Sequence, residues 1–165
     1  MSLSADILRS WAAPRAVIRA RLAAADGERS SLFYLMLGCV LIFVAQIPRL
    51  SQEAASSAEI PFEGLLAGTL FGWLFIAPLF FYLVAGLLAL VLHVFRAGTQ
   101  GWAVRLGVFW AVLAVAPLVL VQGALAVLAG PGVVAMISGL VVLAVFVVNL
   151  VAGLLVALEA AQVQA

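Results

Sequence analysis

Three stretches of this chain carry no charged side chain: Ser30–Pro48, Gly64–Phe95 and Leu106–Leu158. Its eight basic and seven acidic residues are confined to the gaps between those runs and to the two ends. A charge at the centre of a bilayer costs roughly 2.5–3.5 kcal/mol on insertion scales. A chain that keeps every charge out of such long segments is built to be solvated by lipid. Composition agrees: 67% of the residues are hydrophobic and only 9% are charged, whereas a soluble domain averages about 25% charged. Too little polar surface remains to cover a water-facing globule, so the chain reads as one membrane domain.

The same composition excludes several chemistries. There is no lysine, which removes a Walker-type phosphate lysine and a Schiff-base lysine. Cys39 is the single cysteine, so no disulfide forms within the chain and no cysteine cluster can hold a metal. His93 is the single histidine, which rules out multi-histidine zinc and paired-histidine haem ligation. No nucleophile, base and orienting group fall into catalytic juxtaposition, and the carboxylates lie at ends or in loops. The expectation is a protein that is not an enzyme, with no cofactor, no metal and no nucleic-acid partner.

Turn signals divide the runs into four transmembrane helices, about 32–47, 64–95, 102–129 and 133–158. The first ends at Gln46-Ile47-Pro48-Arg49, where proline resists helix continuation and arginine marks the interface. The second is too long for a hydrocarbon core of about 30 Å, since its rise at ~1.5 Å per residue is roughly 48 Å. It is read as one helix kinked at Pro78. Gly130-Pro131-Gly132 separates the third from the fourth, and Pro117 is expected to kink the third. With four spans, seven of the eight arginines fall on one side. The positive-inside rule then places both termini of a multi-pass membrane protein in the cytoplasm. No cleavable signal peptide is visible, so the first span is expected to be its own targeting signal.

The chain is therefore organised as residues 1–30, an amphipathic cytoplasmic-surface segment; 31–158, an all-α polytopic bundle; and 159–165, a short cytoplasmic tail. In the first segment Leu3, Ile7, Leu8 and Trp11 recur at helical spacing, and Pro14 suits the first turn of a second helix. On that second helix Arg15 and Arg19 share one face and Ile18, Leu22 and Ala25 another. Such a helix is expected to lie on the inner leaflet and attract anionic lipid.

Gly64, Gly68 and Gly72 form a small-residue repeat at spacing four, read first as a seam packed against a neighbouring span of the same bundle and second as a dimer interface. Ala103, Gly107 and Ala111, with Gly153 and Ala157, offer smooth faces to meet it. Gln122 and Asn149 lie roughly 15 Å apart along the membrane normal at ~1.5 Å per residue and read as separate interhelical hydrogen-bonding groups rather than one site. His93, Arg96 and Arg105 gather near the inner ends of the second and third spans. They form a candidate headgroup or partner patch, weighed against plain interfacial snorkelling. Arg49 and Glu53 read as a solvated pair one turn apart.

The segment Ser10-Trp11-Ala12-Ala13-Pro14-Arg15-Ala16-Val17, the stretch Gly72-Trp73-Leu74-Phe75-Ile76-Ala77-Pro78-Leu79, and Arg105-Leu106-Gly107-Val108-Phe109-Trp110-Ala111 ahead of Pro117 follow one another in a compact apolar chain. Over about residues 5–158 this order resembles a bacterial member of the Yip-one family, the Ypt/Rab-interacting membrane proteins. The resemblance implies a polytopic bundle; the family's eukaryotic members engage small GTPases in vesicle traffic. The family is usually drawn with five spans, where these residues read as four and a surface helix. No long soluble domain precedes the first span, which argues against GTPase binding, and no family residue role transfers. The functional expectation is a scaffold or accessory subunit in contact with other membrane subunits, a second copy and anionic lipid. The alternative is a small transporter or lipid-handling protein, which would need a polar cavity reaching the midplane.

Overall fold

The computed structural model describes residues 2–24, 28–56, 60–95, 100–130 and 132–163. Every element among them is helical: α1 Leu3–Ala12, α2 Pro14–Ala24, α3 Glu28–Ser56, α4 Phe62–Phe71, a π-helical turn Gly72–Ile76, α5 Ala77–Phe95, α6 Gly101–Ala129 and α7 Val133–Val163. Four of the resulting helices are long and apolar enough to cross a membrane: Arg29–Ser56, Phe62–Phe95, Gly101–Ala129 and Val133–Gln162. This is a multi-pass membrane protein with four candidate spans. Residues 62–95 run as one helix, without the break that a five-span division requires.

Two prolines are accommodated in different ways, each for a physical reason. The first span was expected to stop at Pro48, yet α3 continues to Ser56 with the proline inside it. Proline removes one backbone hydrogen bond and crowds the preceding turn, a cost that neighbouring helices offset in a membrane bundle. Leu50, two residues beyond, is buried, and the Gln52 amide donates to the Val127 carbonyl of α6 at 3.4 Å. Packing against α6 thus carries the helix past its own breaker. At Pro78 the helix answers differently. The turn just before it widens to π geometry, with the Ala77 N–H bonded to the Gly72 carbonyl. The extra residue moves the carbonyl that a proline ring would otherwise strike, so the strain is absorbed ahead of the proline.

α6 is the central element. From Ala103 to Ala116 all of its side chains but Arg105 are buried. α3 and α7 flank it, and α5 packs on the α3–α6 side. Phe109 is fully buried and meets Tyr82 of α5 edge to face at 4.8 Å. Two close approaches fix the three-helix core. A Cβ on Gly153 would lie 2.7 Å from the Gly107 Cα, and one on Gly107 3.0 Å from the Gly153 Cα. A Cβ on Gly123 would lie 2.3 Å from the Ala45 carbonyl oxygen. Only glycine permits backbones this near each other. Gly130 ends α6 at φ +69°, a conformation that side chains disfavour. Pro131 of the expected turn lies outside the described residues.

Candidate functional site

The N-terminal segment builds the densest polar cluster among the described residues. α1 and α2 fold back on the bundle, so that Ile7, Val17 and Ile18 are buried with Leu106, Trp110, Ala152 and Val156. The stripe read as a lipid-facing surface therefore faces α6 and α7 to a large extent, leaving Leu8 exposed. α1 and α2 thus share a core with the spans. The physical reason is the match of a short amphipathic hairpin to an apolar groove, which removes Ile7, Val17 and Ile18 from solvent.

Between the two helices the Asp6 carboxylate accepts from the Arg21 guanidinium. Their side chains are only 10% and 21% exposed, respectively. Arg21 also donates to the Tyr34 hydroxyl at 3.0 Å. Its Cζ stands 5.1 Å from the Trp110 ring centroid and 5.6 Å from that of Tyr34. Those two rings meet edge to face at 5.1 Å. A guanidinium held over two aromatic faces gains ~0.5–2 kcal/mol for each favourable pairing, more as water is excluded. The Trp110 indole N–H donates to Ser10 Oγ at 2.8 Å, and that hydroxyl donates to the Asp6 carbonyl at 2.8 Å. The Trp11 indole N–H reaches the Ala114 carbonyl at 2.8 Å. Two charges, two hydroxyls and two indoles from α1, α2, α3 and α6 are thereby satisfied together. Nothing in local sequence pattern points to this cluster, because its hydrogen-bonded partners lie up to 103 positions apart.

The other sequence-predicted residues are dispersed. Arg15 and Arg19 are exposed on α2; Arg19 pairs with Glu159 at 2.6 Å, both well exposed. Such a pair is worth about 0–1 kcal/mol. The two arginines edge a groove of about 680 Å³ floored by Val147, Val148 and Val151 of α7. His93 is exposed near the end of α5, Arg105 is partly buried early in α6, and Arg96 lies outside the described residues. Arg49 and Glu53 form no ion pair with each other.

The glycine repeat does not face a neighbouring span as expected. A Cβ on Gly68 or Gly72 meets nothing within 4 Å, and one on Gly64 meets only Ile60 and Pro61 of its own segment. The repeat is not an internal seam. The faces expected to receive it, around Gly107 and Gly153, instead meet each other. Asn149 is fully buried, but its amide donates to the Val145 carbonyl of its own helix at 2.9 Å rather than across helices. The Gln122 amide lies 3.1 Å from where a Cβ on Gly139 would stand, so it does reach α7.

One more cavity matters. Between α3 and the π turn is a cleft of about 640 Å³ bordered by Gln46, Arg49, Thr69, Trp73 and, below them, Ile76, Phe80 and Phe81. Gly72, of the glycine repeat, lines it as well; the other lining residues carry no site pattern in the sequence. Comparison with protein-family models, with curated proteins and with solved structures finds no match for this chain.

Proposed function

We propose that this protein is a non-enzymatic scaffold or accessory subunit of a larger membrane assembly in a bacterial inner membrane, with both termini cytoplasmic. The observation that carries the reading is an asymmetry among the spans. Of the most apolar stretch of Phe62–Phe95, 11% is buried, against 39, 33 and 28% for the other three. That helix also presents Gly68 with open space before it, a surface on which a second membrane helix can pack closely. The buried stretch of α6 from Leu106 to Ala116 is apolar, and the Gly107 and Gly153 backbones are in contact, which disfavours a polar path between α6 and α7. The arginine distribution supports the orientation, and the order of Trp11, Pro14, Pro78 and Pro117 supports kinship with the Yip-one family. Arg15 and Arg19 are placed by the same reading against anionic lipid of the inner leaflet.

Gly68→Leu separates this reading from its competitor. The variant is expected to leave the unfolding free energy of the purified protein unchanged or raised by up to about 1 kcal/mol, since leucine is the better helix former at an open site. It is also expected to abolish the partner subunits or second copy retained by wild type in gentle detergent, read by native mass spectrometry. Recovery of wild type as a lone monomer with a water-filled central cavity overturns the proposal. A second reading, lipid handling, is favoured by the cleft beside the π turn.

A further inference from the structure

We infer that the cleft between α3 and the π turn binds one anionic phospholipid from the leaflet on Arg49's side, its phosphate at Arg49 and an acyl chain against Ile76 and Phe80. The inference is independent of the scaffold reading and gives the lipid-handling reading a ligand.

The walls have distinct chemistry. On α3, Gln46 and Arg49 are one turn apart and border the same cleft. Opposite them, Thr69 and Trp73 are also one turn apart, followed by Ile76 and Phe80. One end thus carries a guanidinium, an amide and a hydroxyl, and the other carries apolar and aromatic surface. The Trp73 indole stands between, the position aromatic side chains take where headgroup meets hydrocarbon. The volume of about 640 Å³ falls within the ~300–1,000 Å³ typical of ligand sites.

Charge complementarity selects the occupant. Arg49 is exposed and makes no ion pair with a described residue, although Glu53 stands one turn away on the same helix. A guanidinium presents a planar fork that suits phosphate oxygens, and the neighbouring Gln46 amide and Thr69 hydroxyl add donors. Gln46 and Arg49 also edge a smaller cavity of about 180 Å³ that Gln122 of α6 helps to line, so room for a headgroup continues past the cleft. A zwitterionic lipid offers the same phosphate but adds a cation, so its net attraction to Arg49 is weaker. A soluble anion would leave the walls at Ile76 and Phe80 unused.

The π turn explains why the cleft is open at this level. It lies immediately before Pro78, and Gly72 and Trp73, its first two residues, border the cleft. The widened turn and the missing side chain at Gly72 leave space that a regular helix with a larger residue would fill.

Full-length protein reconstituted in vesicles containing brominated phosphatidylglycerol or brominated phosphatidylcholine tests the site. The Trp73 contribution to fluorescence is obtained by subtracting Trp73→Phe from wild type. Half-quenching of that contribution is expected at an about fivefold lower mole fraction of the anionic lipid, the factor one arginine near a lipid surface provides. Arg49→Gln should erase the preference, and Arg49→Lys should keep part of it, since the charge survives. Equal quenching by the two lipids in wild type, or an undiminished preference in Arg49→Gln, overturns the site. Relief of quenching by excess inorganic phosphate would identify a free-anion site and overturn the lipid assignment. Selective quenching without transfer of labelled lipid between vesicles supports the site and overturns only the lipid-handling reading.

Discussion

Gly153→Leu is expected to destabilise the bundle by about 3 kcal/mol, the upper end of the ~1–3 kcal/mol usual for overpacking. Even the first added carbon has no room: it would stand 2.7 Å from the Gly107 Cα. The obstacle is backbone, so no side-chain rotation relieves it, and α7 must move away from α6. That movement exposes the apolar surface around Val156 and Ala157, and it disturbs Ala152, on which the N-terminal hairpin rests. Titration with sodium dodecyl sulfate from mixed micelles, followed by circular dichroism, measures the loss. Gly68→Leu is the matched control, because the same side chain there enters open space. Equal losses at the two positions would show that the α6–α7 contact does not govern the effect, because leucine is the better helix former at both.

Asp6→Ala is expected to free the N-terminal hairpin while the spans stay folded. The variant leaves the Arg21 guanidinium over Trp110 and Tyr34 with no carboxylate to neutralise it. Removing one partner of a buried pair costs about 3–5 kcal/mol. Arg21 keeps some contact with solvent, which lowers the expectation to about 2 kcal/mol. Because α1 and α2 attach through few elements, the cost appears as local opening rather than global unfolding. Arg9, Arg15, Arg19 and Arg21 are then trypsin sites, and cleavage there should accelerate about 30-fold, the factor that ~2 kcal/mol represents. The double variant Asp6→Ala with Arg21→Met should recover much of the protection, since an apolar side chain suits the aromatic pair without a desolvation cost. Trypsin resistance of Asp6→Ala equal to wild type would mean that Ile7, Val17 and Ile18 hold the hairpin unaided.

The cluster around Asp6 shows where sequence reading stops. Hydropathy is a sum over neighbouring residues, so four spans, the single helix across 62–95 and the break at Gly130 were legible without coordinates. The helical spacing of Ile7 and Trp11, and of Ile18 and Leu22, was legible as well, and so was Pro14 as a helix start. What those stripes would touch was not. A docked hairpin and a hairpin lying on lipid need the same amphipathic pattern, and the choice depends on a groove made by α6 and α7 far along the chain. The extension of α3 past Pro48 failed to register for a similar reason. Proline lowers local helix stability whatever surrounds it, and only Leu50 and the Gln52–Val127 contact reverse the outcome.

The glycines draw the same line most sharply. By itself the amino-acid sequence determined that lipid would solvate this chain, that its helices would cross in four passes, and that small residues would lie in rows on them. Gly64, Gly68 and Gly72 make the more regular row, but the fold closes on Gly107, Gly123 and Gly153 instead. Spacing records that a helix can be approached closely, not by whom. Only the tertiary structure decided which rows meet, which arginine lies beneath an aromatic pair and which borders an open cleft. These are distances between residues remote in the chain, set by the simultaneous packing of α3 and α7 around α6.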